Sequence, residues 1–449
     1  MWFLFVACVP EPTETGLVSE ASWSAARPSL VAPRHHGAIA RSVIHLHSPW
    51  SHDACDGSPL IEGVPDPDCL ADLRAGLCGS GIDVAFLTDH PSHAAEQSFE
   101  DLFHHQPGDT WIPGPGGDPI ASQIVCDDGR PVSILPGIED ELMPVGLARH
   151  VASTAEDNDR LYNSDDAGAI DALMSAGATV LVAHTEGRDL EQLLEQQVTG
   201  LTGIEIFNLH ASFDPGIRAD DLGIDPLGWT EHIGAFTSPD AAGVPDLFAL
   251  GVIEPQQPSL DRWDAMLAVA PTVGVAGADA HQNVLNLELR DGERGDSYRR
   301  ILSWFSNWLL VSDDSVEAAQ QALAAGRLFV VFEILGTPEG LDVFLDTPAA
   351  VVEVGGDAPE GGDLVVSCPT LDPRSPQGPQ APELQVTVLR DGLVWREGCG
   401  IHPTDGPGAY RIEVSIVPHH LRPFLGEDPE PLVRSYPWIY SNAIRIGGG

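Results

Sequence analysis

The sequence contains no lysine, and this absence excludes several kinds of chemistry. All 22 basic residues among its 449 are arginine. A Schiff-base lysine, a P-loop lysine and a carboxylated lysine that bridges two metal ions are therefore excluded. Basic residues are also few relative to acidic ones. The sequence has 67 acidic residues against 22 basic ones, which gives a formal net charge of -45. A surface this acidic repels nucleic acid and anionic lipid, so we expect neither as a partner.

Long apolar segments are also missing, and no stretch of the sequence is suited to span a membrane. The N-terminus has only a short apolar run at residues 2–7, followed by Cys8 and a polar segment. This order resembles the end of a bacterial lipoprotein signal, in which Cys8 carries the lipid, although no basic residue precedes the run. We expect an exported protein, periplasmic or at the cell surface, that meets the membrane only through a lipid anchor on Cys8. The alternative is an ordinary apolar terminus.

No CxxC pair occurs, so the cysteine spacing does not indicate a zinc ribbon. Of the seven cysteines, Cys8 stands apart and six remain: Cys55, Cys69, Cys78, Cys126, Cys368 and Cys399. An even number fits disulfides in an oxidising compartment, the alternative being unrelated buried thiols. We expect the two C-terminal cysteines, 368 and 399, to pair with each other. The other four would pair among themselves, with Cys55 bonded to one of the next two.

Composition divides the chain into three regions. We interpret residues 1–38 as a lipoprotein-like signal and tether. Residues 39–335 alternate short apolar strands with helical patterns, which predicts an α/β domain with parallel strands and crossover helices, near the strand count of a barrel. Residues 336–449 lack helical periodicity, are dense in proline and glycine, and contain alternating runs. They predict a small C-terminal β-sandwich.

The elements predicted by these patterns are short. Strands of the first domain are expected at residues 42–47, 82–88, 132–136, 179–183, 203–207 and 272–276. Its helices are expected at residues 68–77, 167–175, 190–196, 260–269, 297–309 and 315–325. Strands of the second domain are expected at residues 364–367, 384–389, 410–416 and 443–446.

Candidate metal ligands stand at the ends of the strands in the first domain. The first strand ends in His45 and His47, which lie two residues apart and so share a face. The series continues along the chain with Asp53, Asp89, His90, Glu139, His184, Asn208, His210, Asp279 and His281. A lone histidine is usually a core residue, but chance placement at successive strand ends is improbable. Active sites of barrels form at these ends, and borderline divalent metals prefer imidazole and carboxylate ligands. The pattern therefore predicts a polynuclear metal site.

The segments that carry these residues also form a recognisable set. HLHSPWSHDACDG, FLTDH, ILPGIE, VLVAH, EIFN and GADAH resemble, in order, the motifs of the polymerase and histidinol phosphatase (PHP) superfamily. The resemblance covers roughly residues 40–335 and implies a distorted (βα)7 barrel with two or three divalent ions, zinc, manganese or iron. Phosphoesterase activity is common in this superfamily. Later segments, ending in YPWIYSNAIRI, resemble a bacterial subgroup that is secreted or lipid-anchored and has a C-terminal β domain.

The resemblance also assigns ligands to individual ions. They are His45, His47, Glu139 and Asp279 for one ion, Glu139, His184 and either Asn208 or His210 for a second, and Asp53, His90 and His281 for a third. Position 53 is histidine in some members of the superfamily and aspartate here. A carboxylate can still bind a metal at that position.

We expect Glu139, Arg188 and His281 to act in catalysis. Arg188 comes four residues after His184 and is the nearest candidate to neutralise the oxygens of a phosphate group. A further set follows in the sequence: Arg290, Arg294, Arg299 and Arg300. For each of these arginines the favoured alternative is an ion pair on an acidic surface.

The expected function is a metal-dependent hydrolase that activates water for a small, anionic phosphoester substrate. Metal ions would offset the repulsion that the acidic surface exerts on such a substrate. One alternative is the hydrolysis of a non-phosphate ester, an amide or a carbamate on the same metals. The other is a surface lipoprotein that binds metal without turnover.

Overall fold

The computed structural model describes residues 38–238 and 240–447 of the chain. The signal-like segment, including the lipid site predicted at Cys8, lies outside the described residues. Among the residues that are described, no helix has the length and apolar character needed to cross a membrane. They form a mixed α/β fold with one large sheet, and a strand-rich region follows at the C-terminus.

Short strands and short helices alternate through the first part of the chain. Its strands are β1 (Ala38–Leu46), β2 (Leu60–Ile61), β3 (Val64–Pro65), β4 (Val84–Leu87), β5 (Thr110–Pro113), β6 (Pro119–Val125), β7 (Pro131–Leu135), β8 (Met143–Val145), β9 (Thr179–Val182), β10 (Gly203–Asn208), β11 (Val273–Ala280), β12 (Ser306–Val311) and β13 (Leu328–Val331). Its helices are α1 (Ala54–Gly57), α2 (Pro67–Ser80), α3 (Pro91–Ala94), α4 (Ala155–Tyr162), α5 (Ala167–Ser175), α6 (Leu190–Thr199), α7 (Leu209–Phe213), α8 (Pro215–Asp220), α9 (Gly234–Thr237), α10 (Gln257–Leu267), α11 (Tyr298–Ile301) and α12 (Val316–Ala324).

Parallel strands form the part of the large sheet that carries the candidate ligands. In the order β4, β1, β11, β10 and β9, each strand pairs parallel with the next, and β7 pairs parallel with β4. β8 runs antiparallel to β9. A single isolated bridge, from Gly137 to Val145, connects the segment after β7 with β8. The prediction of parallel strands is confirmed. The closed barrel stays a prediction, because β7 and β8 form no paired ladder among the described residues and only the segment after β7 bridges to β8.

Several helices begin at a side chain that accepts a hydrogen bond from one of their first backbone N–H groups. The Asp66 side chain accepts from the N–H of Asp68 at the start of α2, where Pro67 occupies the first helical position. The same helix ends at Gly81, whose φ of 77° suits a residue without a side chain. Asp189 caps α6 in the same manner. Each cap fixes where a loop ends and its helix begins.

The helix predicted at residues 297–309 is wrong beyond residue 301. The helix α11 ends there, and β12 follows with every residue buried between β1 and β13. The run SNWLLV is short and apolar, and periodicity cannot distinguish such a run from part of a buried helix. Backbone pairing with two neighbouring strands makes it a strand.

The C-terminal region is rich in strands, as predicted. Its strands are β14 (Pro338–Glu339), β15 (Asp342–Asp346), β16 (Val351–Glu353), β17 (Asp357–Ala358), β18 (Asp363–Ser367), β19 (Thr370–Leu371), β20 (Glu383–Arg390), β21 (Leu393–Glu397), β22 (Gly400–Pro403), β23 (Gly408–Val417), β24 (Tyr436–Ser441) and β25 (Ile444–Ile446). A four-stranded sheet has the order β16, β15, β18 and β22. The β-sandwich and a domain boundary after residue 335 stay predictions.

The last strands of the chain continue the large sheet. β24 pairs antiparallel with both β13 and β23. Directly after β24, the buried side chain of Asn442 bonds to the backbone of Gly274 in β11. Its Oδ1 accepts from the Gly274 N–H and its Nδ2 donates to the Gly274 carbonyl, both at 2.9 Å. The C-terminus is therefore attached to the strand that carries Asp279.

Three pairs of cysteines lie at disulfide distance. Their Cα–Cα separations are 6.2, 5.6 and 5.4 Å for Cys55–Cys69, Cys78–Cys126 and Cys368–Cys399. The pairing predicted within the C-terminal region is confirmed, and so is the pairing of Cys55 with one of the two cysteines that follow it. Three such pairs indicate an oxidising environment outside the cytoplasm.

Candidate metal centre

The predicted ligands converge beyond the carboxyl ends of the parallel strands. Among the described residues, three groups offer ligand atoms that lie within 4.8 Å of one another: His47, Asp53, His90 and His281; His45, Glu139 and His184; and His45, His47 and Asp279. The groups share members, so they form one continuous cluster. Two further candidates, Asn208 and His210, lie at its edge.

His45 reaches the cluster through an irregularity in β1. The register of β1 shifts across His45 relative to both β11 and β4. Relative to β4 the extra residue lies in β1, and relative to β11 it lies in β11. An irregularity of this kind redirects the side chains at that point. Both His45 and His47 face the cluster, but a bulge brings them there and not the simple alternation of a regular strand.

Three residues of the cluster have a left-handed backbone. The φ angle is 60° at His45, 51° at His184 and 45° at Asp279. Residues other than glycine seldom adopt this conformation, which costs on the order of 1–3 kcal/mol for each. Such strain persists where the surrounding structure fixes it, and it is common at functional sites. At these three strand ends, the surrounding structure holds the backbone in a conformation that the residue alone disfavours, and this conformation directs the side chain to the cluster.

The rings of His45 and His47 are held from the side that faces away from the cluster. His45 Nδ1 lies 2.6 Å from Glu205 Oε1. An ionised carboxylate only accepts, so the proton of a neutral His45 ring is on Nδ1 and the lone pair is on Nε2. His47 Nδ1 lies 2.7 Å from the hydroxyl of Ser51. Outer partners of this kind orient metal-binding histidines and fix their tautomers.

His90 and His281 are held in the same way by backbone carbonyl groups. His90 Nδ1 lies 3.0 Å from the carbonyl oxygen of Glu139, and His281 Nδ1 lies 2.9 Å from that of Asp279. His90 Nδ1 is also 2.9 Å from Glu139 Oε2, but its proton is directed at the carbonyl oxygen. The Nε2 atoms of both rings face Asp53 Oδ2, at 3.6 Å from His90 and 3.2 Å from His281.

Several ligand atoms of the cluster are buried and lack a hydrogen-bond donor. They are His45 Nε2, His47 Nε2, Asp53 Oδ1 and Glu139 Oε2. A buried polar atom left without a partner costs about 1–3 kcal/mol. Imidazole nitrogen and carboxylate oxygen are the donors that zinc, manganese and iron accept in proteins. The residues therefore fit divalent metal ions.

Two carboxylates connect the groups. Asp279 Oδ1 is 3.3 Å from His45 Nε2 and 3.4 Å from His47 Nε2, while its Oδ2 is 3.3 Å from His184 Nε2. Glu139 Oε1 is 3.8 Å from His184 Nε2. The other oxygen of Glu139 faces His90, as described above. A carboxylate whose two oxygens face different sets of ligands can bridge two cations.

Burial and neighbouring charges move the pKa values of these groups apart. Burial opposes protonation of His45, but the carboxylates of Asp279 and Glu205 raise its pKa to about 9. Burial and a neighbouring imidazole lower the pKa of His47 to about 3. Burial would raise the pKa of Glu139, yet the surrounding imidazoles lower it to about 2. The carboxylates thus favour a positive charge within the cluster, so metal ions would compete with protons for these ligands.

The two alternatives for the remaining ligand differ in geometry. Asn208 is buried, and its Oδ1 accepts from the backbone N–H of Ala211 at 3.1 Å, which caps α7. Its Nδ2 donates to Glu205 Oε2 at 2.9 Å. The oxygen of Asn208 is therefore already engaged. His210 Nδ1 lies 4.0 Å from Asp279 Oδ2, and the side chain is 35% exposed. His210 is the alternative with a ring nitrogen facing the cluster.

The arginines considered for catalysis are bound by carboxylates. Arg188 Nη1 lies 2.6 Å from Glu141 Oε2, with the two side chains 24% and 49% exposed. Three of the later arginines also pair with acidic residues: Arg294, Arg299 and Arg300. The ion-pair interpretation of these arginines fits the structure.

The segment that carries Asp53 is held by a disulfide and by the loop that follows β11. The N–H of Cys55 donates to the carbonyl of His281 at 2.8 Å. Asn283 Nδ2 donates to the carbonyl of Asp53 at 3.1 Å. Together with the link from Cys55 to Cys69, these bonds keep the Asp53 carboxylate beside the two imidazoles that it faces.

Asp89 directly precedes His90 but turns away from the cluster. Its carboxylate accepts from the N–H of Ser48 at 2.6 Å and from the hydroxyl of Ser48 at 2.7 Å. His104 Nε2 lies 2.6 Å from the same hydroxyl. Burial raises the pKa of Asp89 to about 6. This network holds the segment that follows His47.

Sequence reasoning missed two buried acids near the cluster, Glu205 and Glu186, the latter 3.5 Å from His184 Nδ1. Glu205 makes the closer contacts. It is buried in β10, between the buried residues Ile204 and Ile206. The signal was present in the sequence, because a glutamate inside the apolar strand GIEIFN is unusual. Acidic side chains are almost never fully buried unless they are paired.

Comparison with known proteins adds one similarity. No protein-family model matches the chain, and no curated protein matches it. Among solved structures, it is similar to a two-domain protein from Bacteroides vulgatus that contains a predicted PHP-like metal-dependent phosphoesterase. The two chains are 12% identical, the similarity covers 92% of this chain and 99% of the other, and the TM-score is 0.36. A likeness at that level does not transfer a function from one chain to the other.

Proposed function

We propose that the protein is a metal-dependent hydrolase of the phosphoesterase type, which uses two or three divalent ions of zinc, manganese or iron. One observation carries the proposal: imidazole Nε2 atoms and carboxylate oxygens converge, several of them buried and without a hydrogen-bond partner. Outer hydrogen bonds hold each of four rings with its Nε2 toward that point. Such preorganisation is typical of metal sites.

The three groups of ligands suggest how the ions would be distributed. One ion would be held by Asp53, His90 and His281, one by Glu139, His184 and His210, and one by Asp279 with His45 and His47. An imidazole nitrogen binds a single ion. His45 and His47 each belong to two groups. The ion that each of them binds therefore decides whether the cluster holds two ions or three.

The depth of the ligands indicates where the substrate would arrive. His45 and His47 are fully buried, whereas Asp53 and His184 are 32% and 31% exposed. The open side of the cluster therefore lies near His184 and Asp53. When bound, divalent ions lower the pKa of water and polarise the oxygens of an ester. Arg188 is proposed to contact a phosphate group at this side, for which it would exchange its contact with Glu141.

The finer fold and the location belong to the same proposal. The strands β7, β4, β1, β11, β10, β9 and β8 would form the distorted (βα)7 barrel, with a β-sandwich at residues 336–449. Cys8 would carry a lipid anchor on the exported protein. The partner would be a small anionic phosphoester, and neither nucleic acid nor other membrane contact is proposed.

Metal analysis combined with a substrate panel tests the proposed function. We expect plasma emission spectrometry of the purified full chain to find two or three equivalents of divalent metal. We expect turnover of chromogenic phosphomonoesters or phosphodiesters, lost on chelation and restored by the metal. A chain that takes up no divalent metal would refute the metal centre. A chain that is loaded with metal but turns over nothing would instead be the non-catalytic alternative.

A second candidate function is hydrolysis of a carboxylic ester, an amide or a carbamate. The observation in its favour is that Arg188, Arg294 and Arg299 are each bound by a carboxylate. A neutral substrate needs no such arginine. Turnover of carboxylesters without turnover of phosphoesters in the same panel would establish this alternative.

A further inference from the structure

Glu205 makes contacts at three strand ends from one buried position. Its Oε1 accepts from His45 Nδ1 at 2.6 Å. Its Oε2 accepts from the backbone N–H of His184 at 2.9 Å and from Asn208 Nδ2 at 2.9 Å. The residue is 1% exposed. A single carboxylate thus joins the ends of β1, β9 and β10.

The contacts of Glu205 act on two ligands that belong to the same group. His45 and His184 both lie in the group with Glu139. Toward His45, the carboxylate holds the ring and places the lone pair on Nε2. Toward His184, it binds the N–H of a residue whose backbone is left-handed. Neither oxygen of Glu205 belongs to a ligand group, so the residue acts through other residues.

Gly277 on β11 provides the space that this carboxylate occupies. A Cβ atom at Gly277 would lie 1.8 Å from Glu205 Oε1 and 3.2 Å from His45 Cβ. Gly277 pairs with Ile44 on one side and with Asn208 on the other. Real Cβ atoms never approach a backbone or side-chain atom at 1.8 Å. Any other residue at this position would therefore displace the carboxylate or the strand.

We propose that Glu205 is a positioning residue for metal binding by His45 and His184, and that Gly277 is its required neighbour. This inference rests on the proposed metal-binding function. The group of His47, Asp53, His90 and His281 makes no contact with Glu205 among the described residues, whereas His45 also belongs to the group of His47 and Asp279. The role of Glu205 therefore concerns the metal that His45 and His184 bind, and not the ion beside Asp53.

The test is a zinc titration of the full chain after chelation, with three variants beside the wild type. Glu205→Gln retains one acceptor oxygen but cannot accept from both His45 and His184. We expect at least one zinc equivalent, held by His45 or His184, to bind about 10–100-fold more weakly, the usual effect of losing an outer partner of a ligand. The equivalent held by Asp53, His90 and His281 should bind as in the wild type.

Glu333→Gln is the matched control. Glu333 is another buried carboxylate that accepts from side chains, those of Arg41 and Trp308, and it touches no ligand of the cluster. We expect this variant to lose stability while it keeps every zinc equivalent. A merely structural role of Glu205 would give that same result for Glu205→Gln, and this result would overturn the inference.

Gly277→Ala tests the second half of the inference with Glu205 intact. We expect it to weaken the same zinc equivalent, and we expect the double variant with Glu205→Gln to be no worse than the more affected single variant. Additive losses would show that the two residues act independently and would overturn the coupling. Should both single variants fail to fold while Glu333→Gln folds, Glu205 is structural and the inference is wrong.

The outcome for the wild type separates this inference from the proposed function. A wild-type chain that binds neither zinc, manganese nor iron overturns both. A wild-type chain that binds zinc but hydrolyses no substrate overturns the hydrolase proposal alone, and the zinc titration of the variants still decides the role of Glu205.

Discussion

Two buried groups of charged residues in the α/β part of the chain are stabilised in opposite ways. In the first, Arg299 and Arg300 bind Asp246 at 2.8 and 2.6 Å, and Arg300 also binds Asp291 at 2.9 Å. Arginine is charged at any physiological pH, so these acids are neutralised by the protein itself. The second group is the ligand cluster, whose acids face imidazoles and whose buried acceptor atoms lack donors.

The comparison shows what distinguishes a site from a structural ion-pair network in an acidic protein. Buried acids occur in both groups, so their presence alone does not indicate function. The ligand cluster differs because its acids and imidazoles leave lone pairs directed at a common point. It is complete only when a cation is supplied from outside. The arginine network needs no such addition.

The comparison is tested most severely at Glu139. We expect Glu139→Gln to lose at least one metal equivalent and several orders of magnitude in turnover, because a charged oxygen between two groups of ligands is removed. The fold should survive, since the core of the domain is apolar. Plasma emission spectrometry and the turnover assay measure both effects. Glu156→Gln is the control, because that side chain is exposed and lies outside the ligand groups.

Metal removal should act on one of the two groups only. At a free zinc concentration about 1,000 times the Kd, binding should stabilise the native state by roughly 4 kcal/mol. Chelation should therefore lower the unfolding temperature, and zinc should restore it. Thermal unfolding followed by circular dichroism measures the change. An identical unfolding temperature with and without metal would show that the cluster does not bind zinc in the folded state.

Arg300 offers the reverse experiment. The side chain of Arg300 is fully buried, and Arg300→Met would leave Asp246 and Asp291 with fewer partners. We expect a loss of about 3 kcal/mol in the free energy of unfolding, since breaking a buried pair leaves charge uncompensated. Metal content should not change. Urea denaturation gives the first value and plasma emission the second. A loss of metal in this variant would contradict the separation of the two groups.

Arg188 should give the smallest effect. Its pair with Glu141 is partly exposed, and such pairs contribute less than about 1 kcal/mol. We expect Arg188→Gln to keep its metal and nearly all of its stability. If Arg188 contacts phosphate, the variant should have a higher KM for phosphoesters than the wild type and an unchanged KM for carboxylesters. Steady-state kinetics on both substrate classes show whether the arginine belongs to the site or only to the surface.

The ligands could be predicted from the sequence because parallel strands bring their carboxyl ends together. His47, His90 and His281 each follow an apolar strand, and local sequence is enough to place them. Their approximate grouping followed from the resemblance to a known motif set. The structure adds the contacts of His47 with the group of Asp53.

Other features could not be predicted because they depend on contacts between distant segments. The bulge at His45 arises from pairing with two neighbouring strands. The sequence of β12 predicts a helix because its apolar run has no distinctive period. The role of Glu205 requires Gly277, which lies 72 positions further along the chain by their numbers. No local pattern connects such residues.

The attachment of the last strand has a consequence for how the protein is made. β24 completes the sheet beside β13, and Asn442 holds the strand that carries Asp279. During synthesis, these contacts cannot form until residues up to Asn442 have left the ribosome. Contacts between distant segments also form slowly. We therefore expect the strand that carries Asp279, and the ligand cluster with it, to reach its final position late in folding.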